Sequence, residues 1–370
     1  MMRLERRLEK PRRLSLLVPL GAIAVAFGVS AVLLAATGHK PGDTYAKLFS
    51  EAFLSWNAHS ATLTTATPLA FTGLAAAAAF RMRLFNIGGE GQLYAGAITS
   101  MAAGLWLGGV SGPLAILLMV LAGCAGGALW ALIPGLLRAF FSTNEIIVSL
   151  MLNYVAGLLL NFLIFDSFSY WRDTSTADAR VFPQGRMLHA DAMWPALHLG
   201  SLVVPLGLLL AIGGALGLAG LYGHTRFGFE VRVLADSERA ATYSGIRVRR
   251  SILAVMAISG AIAGLGGASQ SGDFRYQLDA RGLGQSGYGY AGIVVAALAR
   301  YNPYLVVVLA FLLGGLQNAG YALQGADFPS GLVGVIQGVI LFCVLGGELF
   351  IRYRLRIVRG PRPAGEAGGP

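Results

Sequence analysis

The 370-residue chain is short of charge, of lysine and of reactive side chains. Charged residues make up 12%, against the roughly 25% of soluble domains. Its only lysines are Lys10, Lys40 and Lys47, and none follows a glycine-rich phosphate loop, which excludes a GxxxxGK[ST] ATP site in this polypeptide. The five histidines, His39, His59, His189, His198 and His224, are scattered and make no metal-ligand spacing. Its two cysteines, Cys124 and Cys343, each lie inside an apolar run, where a small packing residue is the ordinary reading. No serine-centred nucleophile motif occurs. These absences leave no catalytic, metal or cofactor site to assemble, so the chain reads as a non-enzyme that needs no cofactor.

What the chain has is apolar length: 55% hydrophobic residues and a mean hydropathy of +0.65. The net charge of +10 comes from basic clusters between apolar runs, as in cytoplasmic membrane loops, and not from a separate nucleic-acid-binding region. The first run, Leu14 to Ala36, is longer than a signal h-region of about 7–15 residues and reads as a retained helix. Further spans are predicted at about Ser60–Phe80, Leu93–Gly109, Leu114–Leu137, Ile146–Phe165, Leu199–Tyr222, Ser251–Ser271, Tyr288–Ala299, Tyr304–Leu323 and Leu332–Ile351. The eighth is too short for a crossing of roughly 20 residues and reads as re-entrant or half-buried. Ten crossings with a cytoplasmic N-terminus put 21 of the 28 Lys+Arg residues on the inner side, as the positive-inside rule requires. The expected fold is thus an all-α integral membrane protein of about ten transmembrane helices with both termini cytoplasmic. Its parts are a basic N-terminus (1–13), a transmembrane region (14–351) and a basic, then Gly/Pro-rich tail (352–370). The membrane region includes a main extracytoplasmic loop (166–198) and a cytoplasmic segment (223–250).

Four features stand out. The stretch LFNIGGEGQLYAGA (Leu84–Ala97) places an Asn, four glycines, a Glu and a Gln between uncharged apolar runs. A backbone this permissive is tolerated in a membrane only when buried in protein or lining a cavity, so a broken or re-entrant helix is expected. Gly88, Gly89 and Gly91 are its hinge or gate residues, with Gly287 and Gly289 as their counterparts. Tyr94-Ala95-Gly96 opens the third span and Tyr290-Ala291-Gly292 the eighth, running oppositely and five spans apart, the pattern of an inverted repeat of five plus five.

The polar residues within spans are mostly amides: Asn153, Asn161, Gln270, Gln317, Asn318 and Gln337. They read either as interhelical packing bonds or as a lining for a polar, uncharged solute. Asn86, Gln92, Tyr94, Asn153, Tyr290, Gln317 and Asn318 are the candidate substrate pathway. Glu90, Glu145 and Glu348 sit toward cytoplasmic ends, so each reads as a cap or solvated charge, Glu90 as a helix-start or partner-facing one. That argues against a relay of carboxylates and a proton-coupled carrier. The recurrent glycines Gly123, Gly126, Gly127, Gly260, Gly264, Gly266, Gly267, Gly314 and Gly315 read as close helix packing.

The segment Phe229–Gly245 has no proline and good helix formers from Leu234 to Ala241, with Asp236 or Ser237 as the cap of a short helix that ends near Gly245. It reads equally as a loop on the bilayer surface or as a docking element for a cytoplasmic partner.

Four stretches carry a family resemblance: Phe85–Ala97, NEIIVSLMLNYVA (Asn144–Ala156), ERAATYSGI (Glu238–Ile246) and GYGYAGIVVAALARYNP (Gly287–Pro303). They resemble the inner-membrane permease subunits of bacterial ABC importers, in the branched-chain amino acid, simple-sugar and nucleoside permease family, nearest to its nucleoside-type subunits. The resemblance implies a pore subunit moving a small polar solute, a nucleoside or purine-like compound or alternatively a simple sugar, across the bacterial inner membrane. It also implies a second, homologous permease, cytoplasmic ATP-binding subunits and an extracytoplasmic solute-binding protein or lipoprotein as partners, beside membrane lipid and without nucleic acid. By the same resemblance Glu238, Arg239, Ala240, Ala241 and Gly245 form the ATPase-coupling segment, although Arg239 stands where the usual importer pattern begins with Glu. The competing reading from the residues alone is an ion- or proton-coupled secondary transporter.

Overall fold

The computed structural model describes residues 2–6, 12–107, 110–175, 177–322, 334–336, 338–339, 342–343, 346–347 and 353–357. Most of the predicted tenth span, with Gln337 and Glu348, lies outside them, as do much of 1–13 and most of 352–370.

The chain divides into two units. One comprises Met1–Tyr45 and Ala326–Pro370. It holds helix α1 (Arg12–Ala36) and an antiparallel pair, β1 (Met2–Arg6) on β4 (Tyr353–Ile357), with Met2 opposite Ile357. The composition of the basic ends had not pointed to strands.

The second unit, Ala46–Gly325, is a helical bundle. Helix α2 (Pro41–Phe53) ends in it, and α3 (Trp56–Phe80) starts on a Ser55 cap that accepts from the Ala58 amide. There follow α4 (Gly89–Trp106), α5 (Gly112–Phe141) and α6 (Glu145–Asn161), whose Asn144 side chain caps the first turn at 2.9 Å from the Ile146 nitrogen. Among the described residues six helical segments are long and apolar enough to cross a membrane: Trp56–Phe80, Gly112–Phe141, Glu145–Asp166, Leu206–His224, Val248–Arg275 and Pro303–Ala322. The pair Gly21–Ala36 and Pro41–Phe53 adds a seventh only if counted as one span.

The predicted extracytoplasmic loop is folded. It carries α7 (Ala177–Val181) and a bridge between Arg172 and Gly185, and the buried Arg172 donates to the carbonyls of Phe165, Ser167 and Arg180. Trp171 Nε1 donates to the Ile98 carbonyl at 3.0 Å, which ties the loop to the middle of α4. The predicted sixth span starts late. Leu199 belongs to a hairpin of β2 (Ala196–Leu199) and β3 (Leu202–Pro205) turning at Gly200 with φ +65°, and helix α8 runs from Leu206 to His224. The β-branched Val203-Val204 and the fixed φ of Pro205 hold extended backbone up to that point.

The segment predicted to be cytoplasmic is two helices, α9 (Arg226–Asp236) and α10 (Glu238–Tyr243), where the sequence reading expects a short helix capped at Asp236 or Ser237 and ending near Gly245. The break is Ser237, whose backbone is extended and whose Oγ caps α10 by accepting from the Ala240 amide at 3.2 Å. Gly245 ends the turn at φ +78°, a conformation that disfavours a Cβ. Next come α11 (Val248–Ser269) with a wide final turn to Arg275, α12 (Ala280–Ser286), α13 (Tyr288–Leu298) and α14 (Pro303–Ala322).

The packing of α4, α5 and α11 explains many of the glycines. A methyl at Gly96 would overlap the Gly264 backbone, one at Gly127 the Gly260 carbonyl, and one at Gly267 the Leu93 carbonyl. Backbone meets backbone here, as expected when van der Waals contact, not water exclusion, joins helices.

Candidate functional site

Helix α3 ends at Phe80, and the chain then turns back beside it without forming a helix until Gly89. The irregular stretch Leu84–Gly88 is largely buried, so its backbone groups need internal partners. Side chains supply them. Glu145 faces the Phe85 amide at 3.4 Å, Ser149 Oγ accepts from the Ile87 amide at 3.2 Å, and Asn86 Oδ1 accepts from the Gly88 amide at 3.0 Å. Asn153 Oδ1 takes the Gly91 amide at 2.9 Å while its Nδ2 donates to the Ile87 carbonyl at 2.9 Å.

The amides of Asn86 and Gln92 bond to each other in both directions, at 3.0 and 2.9 Å. Asn86 also donates to Ser259 Oγ at 2.9 Å, and Ser259 donates to the Ala75 carbonyl at 2.7 Å. Both amides are almost fully buried, so they tie the α4 start to α11 and α3.

The second arm is the short predicted eighth span. It is the 11-residue α13, and the seven-residue α12 precedes it across a break at Gly287 with φ +59°. Eleven residues rise about 16 Å, half of a hydrocarbon core of about 30 Å. The Tyr288 carbonyl accepts from Thr72 Oγ1 at 2.8 Å. Thr72 lies two turns, about 12 Å, before the end of α3. The α12–α13 break is therefore well inside the bundle.

Glu90 joins the two arms. Its carboxylate accepts from the amides of Gly289 and Tyr290, the first turn of α13. The Tyr94 hydroxyl lies 2.5 Å from the same carboxylate and 3.1 Å from the Leu283 carbonyl oxygen of α12. A methyl at Gly289 would overlap the Glu90 backbone, which is why the two helix starts can touch. Gly287 contributes no capping side chain of its own, so Glu90 is a cap supplied from another helix. Sequence reasoning has Glu90 as a cap or solvated charge, at a helix start or facing a partner; it does stand in the first turn of α4 and acts as a cap, but at 3% exposure it is buried between helices and not solvated.

A second intramembrane carboxylate was missed. Asp273, placed by sequence in a polar loop, lies in the closing turn of α11 and is buried. It accepts from the Gly207 amide at 2.7 Å and from Ser269 Oγ at 2.8 Å, capping α8 where Pro205 cannot. Its partner is 66 residues away in sequence, so no local pattern announces it.

The remaining predicted residues divide. Gln317 donates to the Ser286 carbonyl at 3.1 Å, next to the Gly287 break, and so belongs to the cluster. Asn318 donates to the Glu51 carbonyl at 3.2 Å and faces Thr62 Oγ1 at 3.4 Å, joining α14 to α2 and α3. Tyr290, 41% exposed, holds Asn153 Nδ2 at 3.3 Å through its hydroxyl. Tyr154, 62% exposed and adjacent to Asn153, is an accessible aromatic that sequence reasoning passed over. The cluster thus has a buried, largely hydrogen-bonded side, with the Gln317 Oε1 left without a partner, and an open side bearing two tyrosines.

In the α9–α10 pair, Glu238, Arg239 and Ala240 are exposed, Ala241 is fully buried and Tyr243 is 93% exposed. A charged replacement at Ala241 therefore perturbs folding as well as any docking. The bare ring of Tyr243 is the most exposed large apolar side chain described and was not among the sequence candidates.

Comparison with known proteins places this arrangement. Residues 59–345 match the family described as branched-chain amino acid transport system / permease component. The guanosine ABC transporter permease protein NupP of Bacillus subtilis is 33% identical over 357 residues, covering 94% of this chain and 97% of that protein. The nucleoside ABC transporter permease protein NupB of Lactococcus lactis is 31% identical, covering 89% and 90%. The glucose ABC transporter permease protein TsgB13 of Haloferax volcanii is 33% identical, covering 100% and 98%. With its apolar helices and internally satisfied backbone break, this chain is a multi-pass membrane protein of the branched-chain amino acid transport system permease family.

Proposed function

We propose that the chain is the pore-forming subunit of an ATP-driven importer and that it passes a nucleoside or purine-like solute. The observation that carries the reading is near-full-length similarity to ABC permeases, two named for guanosine or nucleosides. The site chemistry agrees with a neutral, aromatic solute. A half-helix N-terminus at mid-depth commonly receives an anionic group of the substrate, but here Glu90 already fills that position for α13. The open side instead offers Tyr290 and Tyr154, and stacking of a base on an aromatic ring contributes about 1–3 kcal/mol. The likeness to TsgB13 keeps a simple sugar as the alternative substrate.

In this reading Asn86, Gln92, Tyr94, Asn153 and Gln317 position the wall, Tyr290 meets solute, and Asn318 braces α14. Gly88, Gly89, Gly91, Gly287 and Gly289 are the hinge where α4 and α13 start. The α9–α10 pair, with Glu238, Arg239, Ala240, Ala241 and Gly245, is the coupling element that docks a separate ATP-binding subunit, and Tyr243 is its exposed anchor. A second, homologous permease and an extracytoplasmic binding protein complete the assembly. Ten spans, a five-plus-five inverted repeat and cytoplasmic termini remain part of the proposal, with 166–198 outside and 223–250 inside. The pairing of Met2–Arg6 with Tyr353–Ile357 supports termini on one side.

A proton-coupled carrier is the second reading, and the burial of Glu90 and Asp273 is what favours it. Against it, each carboxylate is engaged as a helix cap. Reconstitution separates the two. The chain with its ATPase, partner permease and binding protein is expected to accumulate nucleoside only with ATP. Accumulation by the chain alone under a proton gradient would overturn the importer reading.

A further inference from the structure

We infer that the cavity between the end of α5, helix α10 and the start of α11 binds the phosphate headgroup of an anionic membrane phospholipid. It has a volume of about 650 Å³, and its walls include Arg138, Arg247, Arg249 and Arg250, with Glu238 as the opposing charge.

Three observations point to this ligand. The charge is uncompensated: Arg138 is paired with Glu145 at 3.5 Å, whereas no ion pair within 4 Å is described for Arg247, Arg249 or Arg250. Arg249 lies over the Phe140 ring at 5.2 Å, which leaves its guanidinium edges open. Three arginines without an ion pair against one glutamate make a site for an anion, and guanidinium groups suit the planar, forked recognition of phosphate oxygens.

The depth is that of a headgroup. The cavity is walled by the last residues of one crossing helix, Gly112–Phe141, and the first of another, Val248–Arg275. It therefore opens where hydrocarbon gives way to water.

The surface leading away from it is apolar. Leu129, Ile133, Leu136 and Phe140 follow one another at helical spacing on α5, between 39% and 66% exposed. Phe140 also lines the cavity. A phosphate in the cavity would let acyl chains lie along that stripe, a shape that fits an amphiphile better than a free ion. Basic pockets at helix ends are a recognised setting for anionic lipid headgroups.

The test is native mass spectrometry of the full chain in detergent, titrated with phosphatidylglycerol, phosphatidylcholine or inorganic phosphate. Phosphatidylglycerol is expected to bind in preference to phosphatidylcholine. Replacing Arg247→Gln and Arg250→Gln together should weaken it roughly twenty-five-fold, about fivefold for each arginine. The charge-matched pair Arg180→Gln and Arg186→Gln, outside the cavity, should leave binding unchanged. Equal retention of both lipids, equal loss in the control pair, or saturation by inorganic phosphate as tight as by lipid would each overturn the proposal. Loss of phosphatidylglycerol when the ATPase is assembled would also overturn it and assign the cavity to the protein interface.

Discussion

Replacing Glu90 by alanine tests whether the break in the bundle is held by hydrogen bonds or merely by packing. In the native fold one carboxylate satisfies the Gly289 and Tyr290 amides and lies against the Tyr94 hydroxyl. Alanine leaves both amides without an acceptor in a site that is only 3% exposed. Tyr94 keeps the Leu283 carbonyl. A buried donor left unpaired costs about 1–3 kcal/mol, so Glu90→Ala should destabilise by about 2–6 kcal/mol. Glu90→Gln keeps one carbonyl oxygen and presents an NH2 group to the other donor, so it should lose about half as much. The measurement is the unfolding midpoint of the purified chain in a graded sodium dodecyl sulfate titration, with nucleoside uptake by the assembled importer measured in parallel. The expected order of stability is native, then glutamine, then alanine. Equal damage from glutamine and alanine would mean that charge, not acceptor count, holds the helices together. An alanine variant as stable as the native chain would refute the capping assignment outright.

Three further outcomes are expected. Tyr243→Ala should leave folding intact and reduce both ATPase co-purification and uptake, because the ring is 93% exposed; undiminished co-purification would remove it from the coupling surface. Gly264→Val should strongly reduce the folded yield, since the added carbons would meet the Gly123 and Gly127 backbones, and overpacking of about 1–3 kcal/mol is the usual minimum; a normally folded valine variant would show that α5 and α11 can separate. Tyr290→Ala should raise the uptake KM for purine nucleosides about fivefold or more, from a stacking loss of about 1–3 kcal/mol, while Tyr290→Phe retains most of the affinity; equal effects of the two substitutions would remove the ring from the binding surface.

Much of the molecule is legible in the residues alone. Long uncharged runs mark most of the apolar helices, so their positions follow from hydropathy. Local signals also work: Ser237 and Gly245 bracket α10, and Asn144 starts α6, because caps and stops act within a turn of backbone. The glycine-rich stretch before α4 is recognisable as irregular because nothing else tolerates such composition between spans.

What the tertiary structure alone decides is which polar side chain meets which. Glu90 caps a helix at Gly289, 199 positions later, and Asp273 caps one at Gly207, 66 positions earlier. Neither partner leaves a mark in periodicity, so a buried clamp and a solvated charge look identical in the sequence. The same holds for the amides. Asn86 and Gln92 satisfy one another, whereas Tyr290 keeps an open face, and only the fold separates a wall from a lining. The reason is general to a bilayer: apolar character sets where a helix lies, but each buried polar group must find its partner somewhere in space.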